Sequence, residues 1–200
     1  MFEKRLCYHL MDLANKCRGS VPYGCTTFMG KECISFRGTS TWYEVVDDLK
    51  VSKTRSPFTS GNVHTGFLDA YLKVKETMDG EETSTRRVTV AGGYSLGAAI
   101  SILYAADYDT VKDLYLFGSP RVGDESFTQD FEERMKQRGG TILRLQNKND
   151  IVTRLPPRPF YSHVGKKIRI DFEKGSVIQN HYLPNYMHVF RSENLLYPWS

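Results

Sequence analysis

The chain has 200 residues, 40% of them hydrophobic and 25% charged, with a formal net charge of +4. That is enough for one domain with a real core, at the composition of an ordinary water-soluble fold. The charge falls short of a nucleic-acid footprint and no nucleic-acid-binding motif is present; no apolar run reaches the ~20 residues of a membrane span.

From the N-terminus, Met1 to Leu6 carries an acid early and lacks an apolar stretch, so no signal peptide is read. The expectation is a cytoplasmic product, or a secreted one if a leader precedes this sequence. Residues 2–18 place Leu6, Leu10, Leu13 and Ala14 on one side of a helix. Cys7, Cys17, Cys25 and Cys33 contain no C-x-x-C pair, which argues against zinc and for buried thiols, although Cys25 and Cys33 can also be drawn facing each other across a hairpin. Two short strands are predicted near 25–29 and 32–36, a helix at 42–50, and a polar, turn-forming loop over 51–62. A helix follows at 65–79.

Arg87 to Ala91 is β-branched and reads as a strand, and Ala98 to Ala106 is rich in helix formers. Between them lies Gly93-Tyr94-Ser95-Leu96-Gly97. Strand, G-x-S-x-G, helix is the context of a nucleophile elbow, which holds a serine hydroxyl exposed at the carboxyl edge of a sheet. The competing reading is a Gly-rich turn that cradles a phosphate. Further on, a strand at 112–117, a helix from Asp124 to about 138 and a strand Thr141–Leu145 continue the alternation. The pattern predicts a single α/β domain over 1–200, with a mainly parallel central sheet and helices on both faces.

A serine nucleophile needs a base, and the base needs an acid to hold its tautomer. In this type of fold the order is Ser, acid, His. Asp150 follows a parallel strand in the turn Asn147-Lys148-Asn149-Asp150, on the edge that carries Ser95. It reads equally as a turn or cap residue. Asp107 and Asp109 end a helix, and Asp124 looks like a cap. For the base, His163, His181 and His188 all qualify by order. His181 lies where a flexible loop brings it over Ser95, His163 sits in a turn or strand, and His188 reads as a packed helix residue among Met187, Val189 and Phe190. An oxyanion would take the Leu96 amide and a second donor from the strand end Phe36-Arg37-Gly38-Thr39, where Thr39 offers its N–H.

Taken together, Phe36 to Ser40, Val63 to Phe67, Gly93 to Gly97, Phe117 to Asp124, Asn149 to Val152 with Leu155-Pro156-Pro157, and His181 to His188 resemble the class 3 lipases, the fungal-lipase-like branch of the α/β hydrolases. The resemblance runs from about Ile34 to Phe190. It implies an α/β-hydrolase fold and a serine carboxylester hydrolase of the triacylglycerol lipase kind, with a phospholipase A1 or feruloyl-type esterase as the alternative and a silent interaction scaffold as a more distant one. It assigns His181 as the base, with Ser95 and Asp150, and leaves His163, His188 and His64 structural, His64 packing near the elbow. It implies no metal or cofactor. The partners expected are a lipid or other acyl ester, with transient contact to a membrane or lipid surface and no nucleic acid. Three departures stand out: Tyr94 replaces the usual His, Ala98 a Gly, and Thr153 a Pro. The gap of 31 residues from Asp150 to His181 is short for the family and implies a smaller wall on the acyl pocket. Where the family keeps an amphipathic lid, only Val51 and Phe58 are large and apolar, so activation at an interface is expected to be weak. The Lys166-Lys167-Ile168-Arg169 run reads as an exposed strand with solvated charges.

Overall fold

A computed structural model describes residues 4–17, 22–38, 52–80 and 87–191. An amphipathic helix, α1 (Lys4–Lys16), precedes a hairpin of β1 (Tyr23–Phe28) and β2 (Lys31–Phe36). A second hairpin, β3 (Lys53–Arg55) and β4 (Asn62–His64), runs directly into α2 (Thr65–Gly80). Then come β5 (Val90–Tyr94), α3 (Leu96–Asp107), β6 (Asp113–Phe117), α4 (Glu125–Gln137) and β7 (Thr141–Asn147). A single 3-10 turn over Val152–Arg154, β8 (Lys166–Ile170), α5 (Val177–His181) and α6 (Leu183–Arg191) complete the described chain.

Six strands form one sheet in the order β1-β2-β5-β6-β7-β8. Within this sheet β1 is antiparallel to its neighbour, whereas β2, β5, β6, β7 and β8 all run the same way. The carboxyl ends of β2, β5, β6 and β7 therefore share one edge. On one face, α2, α3 and α4 bury Phe67, Tyr71, Leu103 and Phe127 against Ile34, Ala91 and Leu114. On the other, Leu6, Leu10 and Met11 of α1 and Leu183, Tyr186 and Met187 of α6 cover Val90, Tyr115, Phe117 and Leu145. Every residue from Gly97 to Ala106 is buried. A helix apolar on all sides belongs in the middle of a layer, and α3 lies there. Among the described residues no helix is long and apolar enough to cross a membrane.

Several expectations are corrected. The strand read at Arg87–Ala91 lies instead at Val90–Tyr94, because pairing with Cys33 to Phe36 extends it through Gly92 and Gly93, whose weak strand propensity hid it. Part of the loop read at 51–62 is β3, which pairs Lys53 to Arg55 with His64 to Asn62. Phe58 of that segment packs edge-on against Tyr71, ring centroids 5.6 Å apart. In β1–β2, Cys25 opposes Ile34 and Cys33 opposes Thr26, so the two thiols point to opposite faces. All four cysteines are thiols; Cys7 and Cys33 are buried, whereas Cys25 is exposed because β1 is the sheet edge. The helix read at 42–50 lies outside the described residues. In β8, Lys166, Lys167 and Arg169 are exposed and Ile168 is buried, as an edge strand with solvated charges requires.

Asp124 joins the layers. Its carboxylate caps α4 by accepting the Phe127 N–H at 3.0 Å and also accepts from Asn62 Nδ2 at 2.7 Å, tying α4 to β4. Burial alone would push this carboxyl up, but the Asn62 and Phe127 hydrogen bonds hold it below its ordinary value. Its stabilising effect is present above the unfolded value near ~4 and is lost as pH falls through the folded one. Asp124→Ala is expected to lower stability by about 1–2 kcal/mol at pH 7 in urea denaturation, with the difference from the parent narrowing below pH ~4.

Candidate active site

β5 ends at Tyr94 and α3 begins at Leu96, so Ser95 alone makes the reversal from strand to helix. It does so at φ 58° and ψ −123°. For a non-glycine residue that costs on the order of 1–3 kcal/mol and persists only where surroundings enforce it. The Ser95 N–H donates to Phe117 O on β6 at 3.0 Å, and its carbonyl accepts from Ala98 N–H at 3.0 Å. Gly97 lets helix and sheet approach: a Cβ there would stand 2.2 Å from Phe36 O. Serine before a helix ordinarily caps it. Here the side chain makes no capping bond. The hydroxyl faces His181 instead, with Oγ 2.8 Å from Nε2.

The other ring nitrogen, Nδ1, is 2.7 Å from Asp150 Oδ2. An ionised carboxylate only accepts, so the proton sits on Nδ1, and Nε2 is left to accept the serine proton. Ser95, His181 and Asp150 are all buried. Asp150 follows β7 and also keeps the turn role read for it, since Oδ1 accepts the Val152 N–H at 3.0 Å. The residues bring together as neighbours three groups that lie 31 and 86 positions apart.

Sequence reasoning missed the groups that hold this chain of hydrogen bonds. Tyr186 on α6 donates its hydroxyl to Asp150 Oδ2 at 2.6 Å and accepts the Asn147 N–H at 3.1 Å. Burial, then the Asp150 charge, pushes this phenol well above its ordinary value, so it remains a donor. Gly118, at φ 56°, backs the pair: a Cβ there would meet Asp150 Oδ2 and His181 Cε1, each at 3.2 Å. Thr153, the departure from Pro, donates its hydroxyl to Asp150 O at 2.8 Å and accepts from Gln146 Nε2 at 2.7 Å. Tyr94 lies against the His181 ring, centroids 4.9 Å apart. The signal for Tyr186 was its place five residues after His181; nothing local distinguished Thr153.

His181 is the last residue of a short helix rather than part of a flexible loop. Five residues are too few to show helical periodicity, and the helix is held by tertiary bonds. Ser176 caps it by accepting Gln179 N–H at 3.2 Å, and Asn147 Nδ2 donates to Asn180 O at 3.0 Å. The remaining candidates are engaged elsewhere. Asp107 binds Tyr71 and Lys75, and Asp109 binds Arg138. His64 packs on Phe67 and Tyr161. His188, expected to be packed, is exposed on α6, because the buried positions Leu183, Tyr186 and Met187 turn it outward. His163 donates Nε2–H to Thr153 O at 2.8 Å. Thr39 lies outside the described residues. Its neighbour Gly38 approaches the elbow so closely that a Cβ there would be 3.1 Å from Ser95 Cβ. Leu96, as the first residue of α3, carries the amide next to Ser95.

A mainly parallel sheet with a strand–serine–helix elbow, followed in order by an acid and a histidine at the same edge, defines the α/β-hydrolase class. Within it, the model of the lipase (class 3) family matches residues 33–160, and the chain belongs to that family. It is 32% identical over 162 residues to a lipase of Rhizomucor miehei, an alignment covering 73% of this chain and 43% of that protein. It is also 32% identical over 168 residues to phospholipase A1-IIgamma of Arabidopsis thaliana, covering 74% and 38%. A solved structure of the Rhizomucor miehei triacylglyceride lipase superposes with a TM-score of 0.62 at 26% identity, covering 83% of this chain and 79% of that one. The chain spans less than half the length of these curated relatives.

Two outcomes follow from this geometry. Tyr186→Phe leaves the fold intact but removes a donor from a buried carboxylate, a loss of about 1.5–3 kcal/mol. Labelling of Ser95 by a fluorophosphonate is then expected to slow roughly tenfold to a hundredfold. Burial, and next the Arg144 charge, pushes His163 down to about 3. Since the unfolded chain takes up that proton near ~6.5, stability should decline as pH falls from there toward the folded value. His163→Gln should flatten that slope in denaturation measured across the interval.

Proposed function

We propose that this chain is a serine carboxylester hydrolase acting on lipid acyl esters. The observation that carries it is the hydrogen-bonded line from Ser95 Oγ through His181 to Asp150, with the serine turned away from its capping role. Ser95 Oγ attacks the ester carbonyl while His181 Nε2 takes its proton, and Asp150 stabilises the imidazolium that forms. The Leu96 and Thr39 amides donate to the oxyanion, a contribution of about 10²–10³ in rate for a single donor. Collapse expels the alcohol, which takes the proton from His181. Water, deprotonated by the same nitrogen, then releases the fatty acid and restores Ser95.

The substrate is an acylglycerol or a phospholipid, met at a membrane or lipid surface. Plant relatives named phospholipase A1 support the second of these. An intact Ser–His–Asp line speaks against a silent scaffold, which has no use for a serine at φ 58°.

A fluorophosphonate probe tests the assignment directly. The parent should label, Ser95→Ala should not, His181→Ala should label at least a hundredfold more slowly, and His188→Ala should match the parent. Loss at His188 with none at His181 would reverse the choice of base. Hydrolysis of long-chain triacylglycerol, diacyl phospholipid and short aryl esters, measured side by side, ranks the substrate classes. Activity on none of the three, by a protein that the probe labels, would remove the lipid-ester reading.

A further inference from the structure

We propose that Tyr94, the residue covalently joined to the nucleophile, is a positioning residue that sets the plane of the His181 ring. This rests on the hydrolase reading above. Hydrogen bonds at Nδ1 and Nε2 lie at the two ends of the imidazole, so they fix a line through the ring but leave a residual swing about that line, within what the Cγ–Cβ bond allows. The phenol of Tyr94 removes that freedom. Its ring stacks on the imidazole at 26° with centroids 4.9 Å apart. Its hydroxyl donates to the backbone carbonyl of His181, so one side chain holds both ring and main chain of the base. The stack is braced from behind. Tyr186 meets Tyr94 edge-on at 6.1 Å, and Phe172 meets Tyr186 edge-on at 5.4 Å. The Tyr94 ring is also confined by the chain at Gly38, which passes so close that a Cβ there would be 2.9 Å from Tyr94 Cδ1.

The consequence is geometric. The Nε2 lone pair must point first at Ser95 Oγ and then, as N–H, at the departing alcohol. A ring that swings serves neither well, and small misplacements of reacting groups cost up to about a hundredfold. Tyr94 sits behind the imidazole and acts through it, so its loss should appear in kcat and leave KM alone. A flat hydrocarbon ring suffices for the stack; the hydroxyl adds only the anchor on the carbonyl.

The test compares Tyr94→Phe with Tyr94→Leu, and Tyr94→Met as a second non-aromatic variant if the Leu protein unfolds. Ester hydrolysis and fluorophosphonate labelling are measured on each, with thermal unfolding as the check on folding. The Phe variant should keep kcat within about threefold of the parent. The Leu and Met variants should lose about tenfold to a hundredfold in kcat with KM within twofold. The low-field proton resonance of the His181 Nδ1–H to Asp150 bond should stay sharp in the parent and Phe proteins and broaden in the others. Equal kcat in the Phe and non-aromatic variants, or a loss confined to KM, would overturn the assignment. Because the parent is labelled first, an unreactive parent would remove the hydrolase reading together with this one. A reactive parent with indistinguishable variants removes only the role of Tyr94.

Discussion

A carboxylate with no exposed surface has to be matched by donors, because an unpaired buried charge is among the most unfavourable features a fold can carry. Asp150 is such a group, and much of the molecule is arranged around it. One oxygen takes the Val152 amide; the other takes His181 Nδ1 and the Tyr186 hydroxyl. Those donors come from a turn after β7, from α5 and from α6. Tyr186 belongs at the same time to the apolar layer that α1 and α6 lay over the sheet, beside Leu6, Leu10 and Met11. The N-terminal helix thus supports a carboxylate with which it makes no bond, by packing the helix that does. Gly118 shows how little room is left, since a methyl group there would reach both Asp150 and His181.

The second constraint is strain at Ser95. A one-residue reversal between β5 and α3 forces a positive φ, and the parallel sheet holds it by the Phe117 carbonyl on one side and by Phe36 against Gly97 on the other. What the strain achieves is direction. A relaxed serine at a helix N-terminus would spend its hydroxyl on the helix, and this one is aimed at a histidine 86 positions later. Asp150 shows the contrary economy: its two oxygens divide the work, one keeping the local turn and one holding His181.

Much of this was legible before any fold was known. Glycine at 93 and 97, serine between them and the alternation of strands and helices are local signals, and they place Ser95 at the end of β5 and Asp150 beyond β7. Where reading failed, the deciding interaction was distant. Nothing near Thr153 suggests that its hydroxyl supports the Asp150 carbonyl through a bond shared with Gln146. Tyr94 stood out only as a departure from the usual His, because its partner, His181, is 87 residues away. His188 misled for the opposite reason: its apolar neighbours suggested burial, but helical geometry faces Leu183, Tyr186 and Met187 inward and His188 out.

By itself the sequence determined the class of fold, the serine at the elbow and the order in which an aspartate and a histidine follow it, because backbone conformation and strand–helix alternation follow from residues close together in the chain. The resemblance already singled out His181 among three histidines, but whether the Ser95 hydroxyl caps a helix or faces a histidine, and which tyrosines stand behind the pair, were decided only by tertiary structure. The physical reason is that a hydrogen bond depends on angle and on tenths of an ångström. Those are set when layers pack and water leaves, bringing together groups the linear chain keeps far apart.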